Sequence, residues 1–203
     1  MNRLLPLSLA AALWAGASHA ATVEVAVQGS DGKPLADAAV FLESREARAL
    51  LKPAAGLEIE QAAKQFTHRV SIVPLGSEVA FPNRDKVRHH VYSFSPVKTF
   101  ELKLYSGTPA NPVLFDKSGI AVIGCNIHDN MVAWVVVVET PYHGLSSADG
   151  KVKLDNVPPG SYRLRSWHPG LPTGAPALDQ ALTVAADGTA ATLRLPVVGG
   201  TAP

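Results

Sequence analysis

Apolar and polar positions alternate at a period of two in Val23-Glu24-Val25-Ala26-Val27, the pattern of a strand with one buried face. Asp31-Gly32-Lys33-Pro34 then turns the chain, and Ala38 to Leu42 returns as a second strand. Val70-Ser71-Ile72-Val73, Glu78-Val79-Ala80-Phe81, Val91-Tyr92-Ser93-Phe94, Ile120-Ala121-Val122-Ile123 and Val132 to Val138 are further apolar, β-branched runs bounded by Gly, Pro, Asn and Asp. Beyond Thr140 the rhythm changes. Ser147-Ala148-Asp149-Gly150-Lys151-Val152-Lys153-Leu154 is a turn feeding a strand, and Val157-Pro158-Pro159-Gly160-Ser161-Tyr162-Arg163-Leu164-Arg165 is another. The pattern predicts an all-β chain built as a Greek-key sandwich. One stretch departs from it: Leu57 to Phe66 lacks breakers, which predicts a short helix or an irregular arm between Glu43 and Phe66.

The first twenty residues stand apart from this plan. Arg3 gives a positive start, Leu4 to Trp14 an apolar run, and Ser18-His19-Ala20 a small-residue cleavage site, so residues 1–20 read as a secretory signal removed after Ala20. The apolar run is too short to span a bilayer, as is Val132 to Val138, so no membrane span is expected and the location is periplasmic or otherwise secreted. Lys and Arg number 18 against 17 Asp and Glu, and loss of Arg3 with the leader balances the two. A balanced chain lacks the clustered positive surface that nucleic acid requires, so nucleic acid is excluded as partner. The single cysteine changes the picture more. In an exported protein it cannot close an internal disulfide, so it is free, joined to another chain or bound to a metal.

That cysteine opens Gly124-Cys125-Asn126-Ile127-His128-Asp129-Asn130-Met131-Val132, where a thiolate, an imidazole and a thioether recur at three-residue intervals between two apolar strands. Such a loop can curl so that the three side chains converge. Soft sulfur ligands with imidazole suit copper, and a Cys-plus-two-His plane with a long axial Met is the blue-copper arrangement. The remaining ligand has to come from elsewhere, and the polar loop after Phe81 leads into a strand that opens with His89-His90. Successive strand residues point to opposite faces, so one of the two histidines at most can face the metal. Taken singly, a cysteine before a strand is more often a buried small hydrophobe, and a lone His or Met ordinary packing; their joint occurrence favours copper. His68, His143, His168 and Trp167 are read as surface or packing groups, Asp129 and Asn130 as turn residues, and Ser147 has no arranged base and oxyanion hole that would make it a nucleophile.

The spacing of Cys125, His128 and Met131 resembles that of amicyanin-type blue copper proteins. The runs His89-His90-Val91-Tyr92-Ser93-Phe94-Ser95-Pro96 and Cys125 to Met131 resemble exported plastocyanin-like cupredoxins of the methylamine utilisation type. The resemblance implies one type 1 copper ion held by His89, Cys125, His128 and Met131, with His89 aligning better than His90. Cupredoxins usually have Asn where this chain has His90. It further implies a non-enzymatic one-electron carrier whose redox partner docks near Asn126 to Asn130. The alternatives are a periplasmic copper capture or delivery protein, or a metal-free carbohydrate-binding or adhesion sandwich.

Thr22 to Leu42 and the Ser147 to Leu164 region resemble two pieces of a carboxypeptidase regulatory-like β-sandwich, and neither piece has enough strands to bury a core alone. The expected organisation is therefore a leader at 1–20, first strands of that sandwich at 21–44, a cupredoxin domain at 45–139 inserted within it, the remainder at 140–198, and a disordered tail at 199–203.

Overall fold

The computed structural model describes residues 20–198; the leader and tail expectations fall on residues outside this range. The elements run β1 (Ala21–Gln28), β2 (Ala39–Glu43), α1 (Arg45–Leu50), β3 (Leu57–Glu58), β4 (Gln61–Ala62), β5 (Gln65–Phe66), β6 (Val70–Pro74), β7 (Ser77–Ala80) and β8 (His89–Ser95). They continue as β9 (Lys98–Tyr105), β10 (Val113–Phe115), β11 (Gly119–Cys125), β12 (Val132–Val138), β13 (His143–Leu145), β14 (Lys151–Val157), β15 (Gly160–Trp167), β16 (Leu178–Val184) and β17 (Thr189–Arg194). The chain is all-β, as the periodicity predicts. The helix is displaced from its expected place: it occupies Arg45–Leu50, where Ser44 caps it by accepting the Ala47 N–H. Leu57 to Phe66, breaker-free though it is, forms three two-residue strands, because its backbone finds partners in β7 and in the hairpin β4–β5.

Two hydrophobic cores organise the strands. A five-stranded sheet, β6-β12-β11-β8-β9, faces a three-stranded sheet, β10-β7-β3, across Val73, Val79, Phe81, Val91, Phe115, Ile123 and Val135. A second sandwich sets β14-β1-β17 against β13-β2-β15-β16 around Val23, Val25, Val27, Leu42, Leu154 and Leu164. Strand β1 is antiparallel to β14, with Val23 opposite Leu154, and parallel to β17, with Val25 opposite Ala191. The first and the last strands of the described chain thus lie side by side.

Strand β12 shows how the two sandwiches meet. Its inward residues Val135 and Val137 enter the first core, while Val136 and Val138 on the opposite face join the second. A strand covered on both faces reads as a continuous apolar run, which is why Val132 to Val138 shows no alternation. Trp134 and Trp167 meet across the junction with their rings tilted by 47° and centroids 6.2 Å apart, and Arg69 lies 5.3 Å from the Trp134 ring. Trp167 is accordingly a packing group.

Candidate metal centre

The site lies at the end of the first sandwich where β8 begins and β11 stops. Alternation along β8 turns His89 inward, with no exposed surface, and His90 outward. The extra residue in the β8–β9 ladder belongs to β9: His89 pairs with Tyr105 and Val91 with Leu102, and Leu104 takes a positive φ of 21°. The regular alternation of β8 is therefore kept. Cys125 ends β11, pairs with Val91 and is 4% exposed.

The loop after Cys125 closes on itself through backbone bonds. The Cys125 N–H donates to the Met131 carbonyl (3.1 Å), the Met131 N–H to the His128 carbonyl (2.9 Å), and the Asn126 N–H to the His90 carbonyl (3.1 Å). This curl brings His128 back towards Cys125. Cys125 Sγ stands 3.7 Å from His89 Nδ1 and 3.9 Å from His128 Nδ1. All three donor atoms lie within 4.8 Å of one another, and among the described residues this is the group so arranged. A metal about 2.0–2.1 Å from each nitrogen and about 2.3 Å from sulfur, with angles near 120°, would separate sulfur from nitrogen by about 3.8 Å. The observed separations fit. Met131 is 1% exposed and packs in the same core as Cys125. His90 Nε2 lies instead 2.9 Å from Glu101 Oε1, without the alignment of a hydrogen bond, and its ring faces Tyr92.

Two residues that the sequence pattern did not single out organise the His89 side. Asp85 Oδ2 is 2.8 Å from His89 Nε2, and the Asp85 carboxylate also takes the Ala63 N–H on Oδ1 and the Lys64 N–H on Oδ2, both at 2.8 Å. The hydrogen bond to His89, with those from the backbone, holds the Asp85 carboxyl below the usual carboxylate range. Ala63 and Lys64 are the tip of the β4–β5 hairpin and both adopt positive φ, 52° and 57°, as a type I′ turn requires. Neither is Gly or Asn, so each costs about 1–3 kcal/mol unless its surroundings over-determine it; the shared carboxylate does so.

Asn83, 4% exposed, braces the loop that carries Asp85. Its Nδ2 donates to the carbonyls of Val87 (2.9 Å) and Tyr105 (3.0 Å), and its Oδ1 accepts the Asp85 N–H (2.9 Å). The only sequence trace of this arrangement is Asn83-Arg84-Asp85, an Asx-turn pattern in a polar loop. Nearby, the Tyr105 hydroxyl donates to the Phe81 carbonyl, and burial, followed by the proximity of Cys125, pushes its pKa up to about 12. It stays a phenol.

His68 is exposed, and His143 and His168 lie in the second sandwich, where His168 Nδ1 accepts the Gly170 N–H. None of them joins the group. The Ser147 hydroxyl lies within hydrogen-bonding reach of Asp149 and of the Lys151 carbonyl in its own turn. Asn126, Ile127, Asp129 and Asn130 are exposed around the half-buried His128.

No known family description and no curated protein matches this chain. Among solved structures, a reduced Cu(I) form of an amicyanin variant is 21% identical, covering 49% of this chain and 98% of its own, with a TM-score of 0.37. A Cu-containing nitrite reductase from Thermus scotoductus is 19% identical over 47% of this chain and 27% of its own, with a TM-score of 0.38. A purple cupredoxin from Nitrosopumilus maritimus is 19% identical over 40% of this chain and 99% of its own, at 0.36. These three are copper proteins or cupredoxins by name. At these identities and scores the likeness carries no argument about chemistry, and the functional conclusion rests on the side chains.

Proposed function

We propose that this is an exported type 1 copper protein that holds one copper ion through His89, Cys125, His128 and Met131 and acts in one-electron transfer. The observation that carries the reading is the convergence of His89 Nδ1, Cys125 Sγ and His128 Nδ1 within 4.8 Å at the buried end of a sandwich. The chemistry of the donors supports copper, since a thiolate with two imidazoles is the trigonal set that copper favours. Met131, buried beside Cys125, supplies the thioether. Copper bound there provides a one-electron couple between copper(I) and copper(II).

The chain's own groups account for the rest. Buried Cys125 and His89 exclude water from one side, and the backbone-closed loop from Cys125 to Met131 holds the donors in place through a change of charge. Four protein donors leave no position for a substrate, which favours a carrier over an enzyme. His128, half-buried in an exposed loop, is the edge through which electrons pass, and a redox partner docks around Asn126 to Asn130. The leader at 1–20 would deliver the protein to the periplasm.

The same reading takes 21–44 and 140–198 as one carboxypeptidase regulatory-like sandwich with the cupredoxin domain, 45–139, inserted in it. Pairing of β1 with β14 and β17, and of β2 with β13 and β15, supports this layout. The decisive experiment is the visible spectrum of the copper-loaded, oxidised protein. An intense thiolate-to-copper band is expected, and Cys125→Ser should abolish it while costing the metal-free fold about 1–2 kcal/mol. A colourless protein with readily exchanged copper(I) would favour copper handling instead, and no copper uptake would leave a metal-free sandwich.

A further inference from the structure

His89 is fully buried, yet both its ring nitrogens have polar neighbours: Nδ1 faces Cys125 Sγ at 3.7 Å and Nε2 faces Asp85 Oδ2 at 2.8 Å. An ionised carboxylate has no proton to give, so the hydrogen of this short contact sits on Nε2. In a neutral ring that leaves Nδ1 as a bare lone pair, directed at the thiol. The carboxylate is itself fixed from behind by the Ala63 and Lys64 N–H groups of the β4–β5 tip and by the Asx turn on Asn83. The tip of a hairpin distant in sequence and the loop just before β8 thus converge on the outer nitrogen of one imidazole.

We propose that Asp85 is the positioning residue of the metal centre: clamped by the Ala63-Lys64 turn, it fixes the His89 tautomer with Nδ1 free to bind and raises the donor strength of that nitrogen. The proposal rests on the copper reading above for its effect on the metal, but not for its effect on the tautomer. A carboxylate hydrogen-bonded to the far nitrogen of a ligating imidazole orients the ring and makes it more basic. It therefore favours copper(II) over copper(I), and removing its charge should raise the reduction potential. The clamp also gives the β4–β5 hairpin a role. Its tip holds two non-glycine residues at positive φ, and both of their N–H groups are directed at this one side chain.

Asp85→Asn is the discriminating variant because it keeps volume and shape. The carboxylate meets one donor on Oδ1 and two on Oδ2, so whichever way the amide turns, its NH2 group confronts an N–H. The first measurement needs neither copper nor a variant. Nitrogen-15 NMR of the metal-free wild-type protein near about pH 8, above the ordinary histidine range, should show His89 with its proton on Nε2. In D85N the tautomers should mix, copper affinity should fall about 10–100-fold, and the potential of the copper form should rise.

Wild-type His89 protonated on Nδ1 would overturn the proposal. So would a folded D85N with the wild-type tautomer, affinity and potential. If D85N does not fold, the wild-type tautomer decides alone. A wild-type protein that takes up no copper would defeat the copper reading, and the tautomer measurement would still judge the Asp85 assignment.

Discussion

Replacing Asn83 tests whether the loop before β8 is held as the hydrogen bonds imply. The side chain is 4% exposed and makes three bonds, two given to the carbonyls of Val87 and Tyr105 and one received from the Asp85 N–H. A net contribution of about 0.5–1.5 kcal/mol per bond puts Asn83→Ala at a loss of about 3 kcal/mol. For a chain of this size that is a fall in Tm of about 6–12 °C by calorimetry or circular dichroism. Asn83→Asp is the sharper variant. It changes almost no volume but sets an oxygen where the NH2 group stood, 2.9 and 3.0 Å from two carbonyl oxygens. At neutral pH it should destabilise at least as much as alanine does, because it adds repulsion and a buried charge to the lost bonds. An Asn83→Asp protein within about 0.5 kcal/mol of wild type, the range of an ordinary surface change, would refute the reasoning.

Two further outcomes follow from the strand alternation and from burial. His89→Ala should lose copper, whereas His90→Ala, which alters the Glu101 and Tyr92 contacts on the outer face, should retain it; the reverse in a copper titration would show the register slipped by one residue. Burial pushes His143 below the ordinary histidine pKa, and it does the same to His168 with help from Arg69. Both sites therefore bind fewer protons folded than unfolded. Stability is complete above about pH 6.5 and declines as the pH falls below it. Chemical denaturation between about pH 7.5 and 5 should show that slope, and the His143→Asn/His168→Asn double variant should flatten it; a wild-type stability constant over this range would count against it.

Much of the protein was legible in the residues themselves. Period-two alternation in Val23 to Val27, and the β-branched runs between turn residues, require strands because side chains on an extended backbone must face a core on alternate sides. Cys125, His128 and Met131 lie within one short loop, so their proximity is a local matter that spacing can express. Choosing between His89 and His90 came close to the same kind of inference, since alternation separates them, but which face looks inward depended on where β8 lies in its sheet.

What the tertiary structure decided was everything that rests on long-range pairing. Leu57 to Phe66 has no breakers and no helix, because β7 and the Asp85 carboxylate offer its backbone hydrogen bonds that no property of the segment announces. Val132 to Val138 could have been any buried run; it is continuous because the second sandwich covers the face that the first leaves open. Asp85 stands four residues before His89, an ordinary acid in a polar loop until the hairpin tip comes behind it. Hydrogen-bond partners distant along the chain leave no period and no composition in it, and only the fold brings them to one point.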